Sequence, residues 1–345
     1  MVSCAAVLVH ALQITLDAPH VCELDAQPGL LPEGTLAIDS LDTVLLCLQE
    51  YPNNAELRRV ADTLLKYAET YSLETQTSTV SVFETMIRIV GGLLGAYDLT
   101  CNPKLLESAV RVADALEPAF ATRVPAPMVN LRLKRAERSP WFPSQCTTVA
   151  DAGTIVFELQ WLAERSHIAK HTDRATAILD ALDKKTYVTY DPNNACSRSS
   201  SSSTFQPGVG GDSWFEMLLK LNLKPELTAS FLSSVAWEHL NPSHLECIWP
   251  AYVPNAHNLK AKCVDMALSG CHRPPEAAEM LYLTGDTENL KRARQTFLRE
   301  CKTPTGYGSE SWIVAETIKY LFRLPPQNAT LSTEAHARLH VNTCR

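Results

Sequence analysis

The sequence has no uninterrupted apolar run of the ~18–20 residues that a membrane-spanning helix needs, so no span is expected in this chain. It also lacks a long lysine-arginine block. With 31 basic against 38 acidic residues the formal net charge is −7, which speaks against nucleic acid or an anionic membrane surface as partner. The 11 cysteines never form CxxC pairs, and this removes zinc ribbons and dithiol redox motifs from consideration. So many cysteines suit an oxidising compartment better than the cytosol. Their odd number leaves at least one thiol free or joined to another chain, which places a disulfide-linked redox partner among the expectations. Strand-like alternation is nearly absent. The glycines of "GVGGDSWFE" (208–216) follow no predicted strand and so make no nucleotide-binding fingerprint.

What the sequence has is helical periodicity. Apolar residues make up 46% of the 345 positions, enough for a substantial core. Over 80–99, Phe83, Met86, Ile87, Val90, Leu93, Leu94 and Tyr97 follow the spacing of one helical face, and Cys101-Asn102-Pro103 then breaks the helix before a second begins. The same unit recurs: 36–50 with 54–71, 80–99 with 103–117, 149–165 with 171–186, 211–222 with 225–240 and 275–284 with 287–301, with a last helix at 309–323. Helical hairpins of this kind bury their apolar faces by stacking on neighbours, so the spacing predicts an all-α array, either an open solenoid or a closed α/α barrel. Proline-rich loops at 123–131 and 137–144 and a serine tract within 196–211 punctuate it. "CAAVLVHAL" (4–12) has the apolar character of a signal-peptide core but neither a basic flank nor a clean cleavage site.

The first helix of most hairpins carries acidic residues in an apolar or glycine-rich setting: Asp39, Asp42, Glu84, Asp151, Asp212, Glu216, Glu276, Glu279, Glu310 and Glu316. Macrodipole and capping preferences explain acids in a first turn. Yet a carboxylate buried alone costs several kcal/mol, so acids meeting inside a ring must be paired, bind a cation or do chemistry. Glu84 and Arg88, four apart, read either as a structural ion pair or as the inward face of a catalytic pocket. Gly91, Gly92 and Gly95 continue that face, and each costs about 0.5–1 kcal/mol relative to alanine in a helix. Something therefore approaches it closely, either a neighbouring helix or a ligand.

Seven segments, in order, resemble the signatures of the class I α-mannosidases, glycoside hydrolase family 47: "TLAIDSLDTVLL", "VSVFETMIRIVGGLLGAYDL", "EPAFATRVPAPMVNL", "QCTTVADAGTIVFEL", "GVGGDSWFEMLLKLNL", "ESWIVAETIKYLF" and "STEAHA". The resemblance runs from about residue 35 to 337. "VHAL" (9–12) and "CELDAQPG" (22–29) look like remnants of the family's first helix and the loop after it. The resemblance implies an all-α, (α/α)7 barrel of helical hairpins, shortened here, with 1–34 as an N-terminal remnant or signal-like segment, 35–337 as the catalytic barrel and 338–345 as a tail. It also implies calcium-dependent, inverting hydrolysis of α1,2-linked mannose from high-mannose N-glycans, in the endoplasmic reticulum lumen or secretory pathway. "QCTTVADAGT" and "IWP" (248–250) look more like the branch that marks misfolded glycoproteins for degradation.

By the same resemblance, Glu84 matches the general acid, Asp212 a second catalytic carboxylate and Glu276 the general base. Arg88 and Arg273 match sugar-contacting arginines. Glu279, Glu316 and Glu334 match the acidic shell around the calcium ion and its waters, and Thr333 matches that ion's direct protein ligand. These roles are chemically coherent: inversion needs acid and base carboxyls ~6.5–9.5 Å apart to admit a water, and calcium takes oxygen ligands while keeping waters. Several segments depart from the family pattern. "RPPE" stands for the family's shorter arginine-proline-glutamate, 247–273 is compressed, Asp151 replaces a glutamate or small residue, and "TRVPAP" replaces a proline-threonine-glycine loop. These changes keep open a second expectation, a catalytically impaired, mannosidase-like lectin that binds the glycans of misfolded proteins. A third expectation is a helical-repeat scaffold with an acidic face. Cys247 and Cys263 stand near the positions of a disulfide in processing enzymes, and Asn328-Ala-Thr330 is a glycosylation sequon.

Overall fold

The structure, a computed structural model, describes residues 4–12, 31–140, 146–182, 187–189, 213–214, 216–217, 257–268, 275–300 and 313–322. Helices dominate these residues, and several of them start where the sequence supplies a cap. Asn54 accepts a hydrogen bond from the Leu57 amide at 2.9 Å and opens the helix Ala55–Glu69, which buries Leu57, Val60, Ala61, Leu64 and Ala68 along one stripe. Asn102 caps Pro103–Ala115 in the same way, with proline at the first position where its missing N–H is harmless. The helices Gly91–Thr100 and Val156–Ser166 both end on a non-glycine residue in the left-handed region, Cys101 (φ 56°) and His167 (φ 57°), which turns the chain into the next helix.

Three of the expected hairpins appear nearly as spaced: Leu41–Glu50 with Ala55–Glu69, Gly91–Thr100 with Pro103–Ala115, and Pro275–Leu283 with Thr287–Glu300. Elsewhere the structure differs from the periodicity. The helix expected to run to 186 is Ala169–Ala181, and its sequel at Tyr187–Thr189 is a strand. A helix, His257–Ala267, occupies part of the stretch that reads as compressed. The hairpin expected at 211–240 lies outside the described residues, apart from helical backbone at 213–214 and 216–217.

Short strands escape the periodicity because three residues are too few to display alternation. Thr79–Ser81, Met128–Asn130 and Arg135–Glu137 form an antiparallel sheet in that order, and Cys146–Thr148 pairs with Tyr187–Thr189. Each sheet delivers the chain into a helix bearing an acid in its first turn. Ser81 accepts from the Glu84 amide at 3.2 Å, and Thr148 accepts from the Asp151 amide at 3.0 Å.

The array closes on itself. The Thr43 hydroxyl donates to the Ala315 carbonyl at 3.0 Å, and Lys319 Nζ donates to Asp42 Oδ2 at 2.7 Å, joining an early helix to the last described segment. The helix Cys4–Ala11 buries Ala5, Val7 and Leu8 in the same continuous core. Between hairpins, Asp98 is almost wholly buried and accepts hydrogen bonds from Trp161 Nε1 (3.1 Å), Arg165 Nε (2.7 Å) and Arg165 Nη2 (2.8 Å). The bond to Asp98 raises the Arg165 pKa, so the guanidinium stays charged with its buried partner hydrogen-bonded. Cys47, Cys101, Cys146 and Cys263 are disulfide-bonded; Cys247, expected beside Cys263, lies outside the described residues.

The packing makes two outcomes measurable. A methyl group on Gly92 would sit 2.6 Å from the Ile38 carbonyl oxygen, so Gly92→Ala must separate two helices. It should lower stability by about 1–3 kcal/mol, read as a fall in the thermal midpoint. His171 is fully buried with neither ring nitrogen hydrogen-bonded among the described residues. Burial, and then the charges of Arg174 and Lys170, lower its pKa to about 4, with Asp114 and Glu117 opposing. The unfolded chain therefore binds the proton first as pH falls. The stability contribution is full above pH ~6.5 and lost progressively towards pH ~4, on the order of 3 kcal/mol at most. Thermal unfolding from pH 7.5 to 5 should show this loss, and His171→Leu should reduce the slope.

Candidate active site

The site begins at an irregularity. After the capped turn Val82–Glu84 the chain widens into a π-helical turn, Thr85–Val90, before resuming as Gly91–Thr100; a second π segment, Ile313–Ile318, precedes Lys319–Phe322. π turns are rare and concentrate at functional sites. Here one carries Arg88 and the other Glu316.

Arg88 bridges two acids. Its Nε donates to Glu84 Oε2 at 2.6 Å and its Nη1 lies 3.4 Å from Asp39 Oδ2, and all three side chains are largely buried. Glu84 and Arg88 are thus an ion pair, and the presence of Asp39 from another helix shows that the pair faces inward. Two of the three glycines beyond it answer to closely packed neighbouring protein, and Gly91 has room for a methyl group. Gly92 touches the Ile38 backbone, a methyl group on Gly95 would meet Asp42 at 3.3 Å, and one on Gly91 would meet Glu158 at 3.7 Å.

Further acids converge from other helices. Glu279, on Pro275–Leu283, is 1% exposed. Burial pushes the Glu316 carboxyl up to about 8; the charges of Glu216 and Asp39 add to the rise, Lys319 opposes it, and Glu279 adds again. Glu316 keeps some accessible surface although protein encloses it.

Of the residues singled out from sequence, Glu84, Arg88, Glu279 and Glu316 are described, and the electrostatics place Asp39, Glu216 and Glu279 around Glu316. Glu276 is described only through the backbone of Pro275–Leu283, and Asp212, Arg273, Thr333 and Glu334 lie outside the described residues. Among the described residues no three His, Cys, Asp or Glu side chains are set to cage a metal ion. The observed acids still suit a hard cation in one respect: they bring oxygen donors and negative charge to one place, where burial and then those charges raise the Glu316 pKa.

Sequence reasoning passes over Glu158, 6% exposed and facing Gly91, and Lys319, which holds Asp42 and moderates Glu316. The signal for Glu158 is present in "TIVFELQWL", an acid inside an apolar helix with no basic residue one turn away. Lys319 has the sequence surroundings of an ordinary surface lysine.

Without divalent ions, Glu316 binds a proton in the folded chain that the unfolded chain releases. Its burial therefore destabilises increasingly as pH rises from about 4.5 towards 8. In chelator, the thermal midpoint of Glu316→Gln relative to the native chain should climb between pH 5 and pH 8. A constant difference would mean that Glu316 ionises freely.

A model of glycosyl hydrolase family 47 matches residues 19–239, well over half of the chain. Glu84, Arg88 and Asp212 fall inside that match, and Arg273, Glu276, Glu279, Glu316, Thr333 and Glu334 lie beyond it. A mannosyl-oligosaccharide 1,2-alpha-mannosidase of Arabidopsis thaliana is 33% identical over 206 residues, covering 57% of this chain and 35% of that protein. The endoplasmic reticulum mannosyl-oligosaccharide 1,2-alpha-mannosidase of Schizosaccharomyces pombe is 30% identical over 197 residues, 55% of this chain and 36% of its own. The chain thus spans about a third of the length of these curated relatives. Among solved structures, an alpha-1,2-mannosidase from Trichoderma reesei shares the fold with a TM-score of 0.66 at 20% identity, over 93% of both chains. The ring of helical hairpins is therefore the α/α barrel of that enzyme, and the chain belongs to glycosyl hydrolase family 47.

Proposed function

We propose that this chain is a calcium-dependent, inverting 1,2-α-mannosidase that removes α1,2-linked mannose from high-mannose N-glycans in the secretory pathway. The observation that carries this reading is the cluster itself: Arg88 held between Glu84 and Asp39, with Glu216 and Glu279 gathered around a Glu316 whose pKa is raised to about 8. Acids brought from separate helices into one enclosed place are expensive to assemble, and glycoside hydrolysis by two carboxyls is a chemistry that needs them.

In this reading Glu84 enters the reaction protonated on Oε1, the oxygen Arg88 Nε does not hold, gives that proton to the departing glycosidic oxygen and is left as the carboxylate paired with Arg88. Arg88 fixes the direction of the Glu84 carboxyl group at 2.6 Å and offers its remaining N–H groups to sugar hydroxyls. Glu276 takes a proton from the attacking water and Asp212 supplies the second catalytic carboxylate. Thr333 would hold calcium, with Glu279, Glu316 and Glu334 around its waters. When bound, calcium would orient vicinal hydroxyls and polarise the attacking water. Names of relatives support the substrate class, and the four disulfide-bonded cysteines among the described residues support an oxidising compartment. The segments "QCTTVADAGT" and "IWP" support a place in glycoprotein quality control and degradation.

The test is mannose release from a nine-mannose N-glycan with and without calcium, beside a thermal melt. Release should require calcium, fall by about 10³-fold or more in Glu84→Gln, and be accompanied by a calcium-dependent rise in melting temperature. Saturable, chelator-sensitive glycan binding without release would replace the hydrolase with the lectin reading. Indifference to both calcium and glycan would leave only a scaffold.

A further inference from the structure

Four pairs of adjacent basic residues occur in the sequence: Arg58-Arg59, Lys134-Arg135, Lys184-Lys185 and Lys291-Arg292. The first and last lie within the helices Ala55–Glu69 and Thr287–Glu300, where a protease cannot draw the backbone out straight. Lys184-Lys185 lies outside the described residues. Lys134-Arg135 sits at the tip of the hairpin joining Met128–Asn130 to Arg135–Glu137, and Arg132 precedes it.

The tip is built to project. Arg132, Leu133, Lys134, Arg135 and Ala136 are all exposed, Leu133 at 54%, which is unusual for a large apolar side chain. Asn130 Oδ1 accepts from the Leu133 amide at 2.8 Å, and Lys134 takes a left-handed φ of 49°. Arg135–Glu137 is the last strand of its sheet and only three residues long, with Arg135 and Ala136 exposed. So short an edge opens locally at low cost.

We propose that this tip is a processing site at which an endoprotease specific for paired basic residues hydrolyses the Arg135–Ala136 peptide bond. Water supplies the hydroxyl and proton, leaving a new carboxylate on Arg135 and a new amino group on Ala136. Proteases bind substrates as an added strand. Carboxylate-lined subsites would take Arg135, Lys134 and Arg132 at the first, second and fourth positions before the cleaved bond, each by a charge-assisted contact. Glu137 is the clasp that opposes opening. It accepts from Thr79 Oγ1 (3.2 Å), Asn130 Nδ2 (3.2 Å), and Arg135 Nε and Nη2 (3.2 and 3.1 Å).

Cleavage would not dissociate the chain. Asp98 with Trp161 and Arg165, Asp42 with Lys319, and Thr43 with Ala315 all join the two sides. It would release the tether on Met128–Asn130, which pairs with Thr79–Ser81 directly before Glu84. The inference rests on the proposed function only for the secretory compartment, where such proteases work.

The full chain, expressed under oxidising conditions, is incubated with a furin-type endoprotease and its products are read by mass and N-terminal sequencing. The expected result is fragments 1–135 and 136–345, with a new N-terminus at Ala136, that co-elute as one particle without denaturant. Arg132→Ala should slow cleavage about tenfold or more, and Glu137→Ala should accelerate it. An uncut folded chain, when the unfolded chain is cut at the same bond, would overturn the inference. So would equal rates for Arg132→Ala and the native chain, or capture of an acidic peptide by the tip without cleavage. The readout needs no mannose release, so a chain inert towards glycans still decides the matter.

Discussion

Lys319 reaches from the last described helix to Asp42 near the start of the chain, and the Thr43 hydroxyl meets the Ala315 carbonyl beside it. Closing the ring there is the constraint on which the centre depends. Asp39 and Arg88 belong to early helices, and Glu279 and Glu316 to late ones. Without the closing contact their charges would not act on one another. With it, burial raises the Glu316 pKa to about 8, and the charges of Glu216, Asp39 and Glu279 add to the rise.

A second constraint fixes angles. Each small sheet feeds a capped helix start, with Ser81 before Glu84 and Thr148 before Asp151. The π turns then rotate the rest of each helix by part of a turn, so Arg88 and Glu316 sit on widened backbone. Glycines at 92 and 95 let the segments on either side of Asp39 come close to the helix that carries Arg88. Sequence cost, backbone irregularity and close approach coincide over one short stretch of the chain, as expected where function opposes regular packing.

Much of this is legible in the amino-acid pattern. The stripe of Leu57, Val60, Ala61 and Leu64 marks one helix, Asn102-Pro103 marks the start of another, and the recurrence of acids at hairpin starts points inward. The three-residue strands are illegible because alternation needs more residues than they have. The π turns are illegible because their residues have the same apolar pattern as an α-helix. Glu158 can be found as an acid in an apolar helix. Lys319 cannot, since its partner Asp42 is 277 residues away in sequence.

The amino-acid sequence by itself determined that the chain is helical, where most helices begin, that its charge is acidic overall, and which carboxylates are candidates for chemistry. Those properties are local, set by periodicity, capping and charge within a few residues. Only the tertiary structure decided that Glu84 and Arg88 face Asp39, that Gly92 and Gly95 answer to neighbouring helices, and that burial raises the Glu316 pKa. Those outcomes depend on desolvation and on charges from remote segments, and neither exists until the ring has closed.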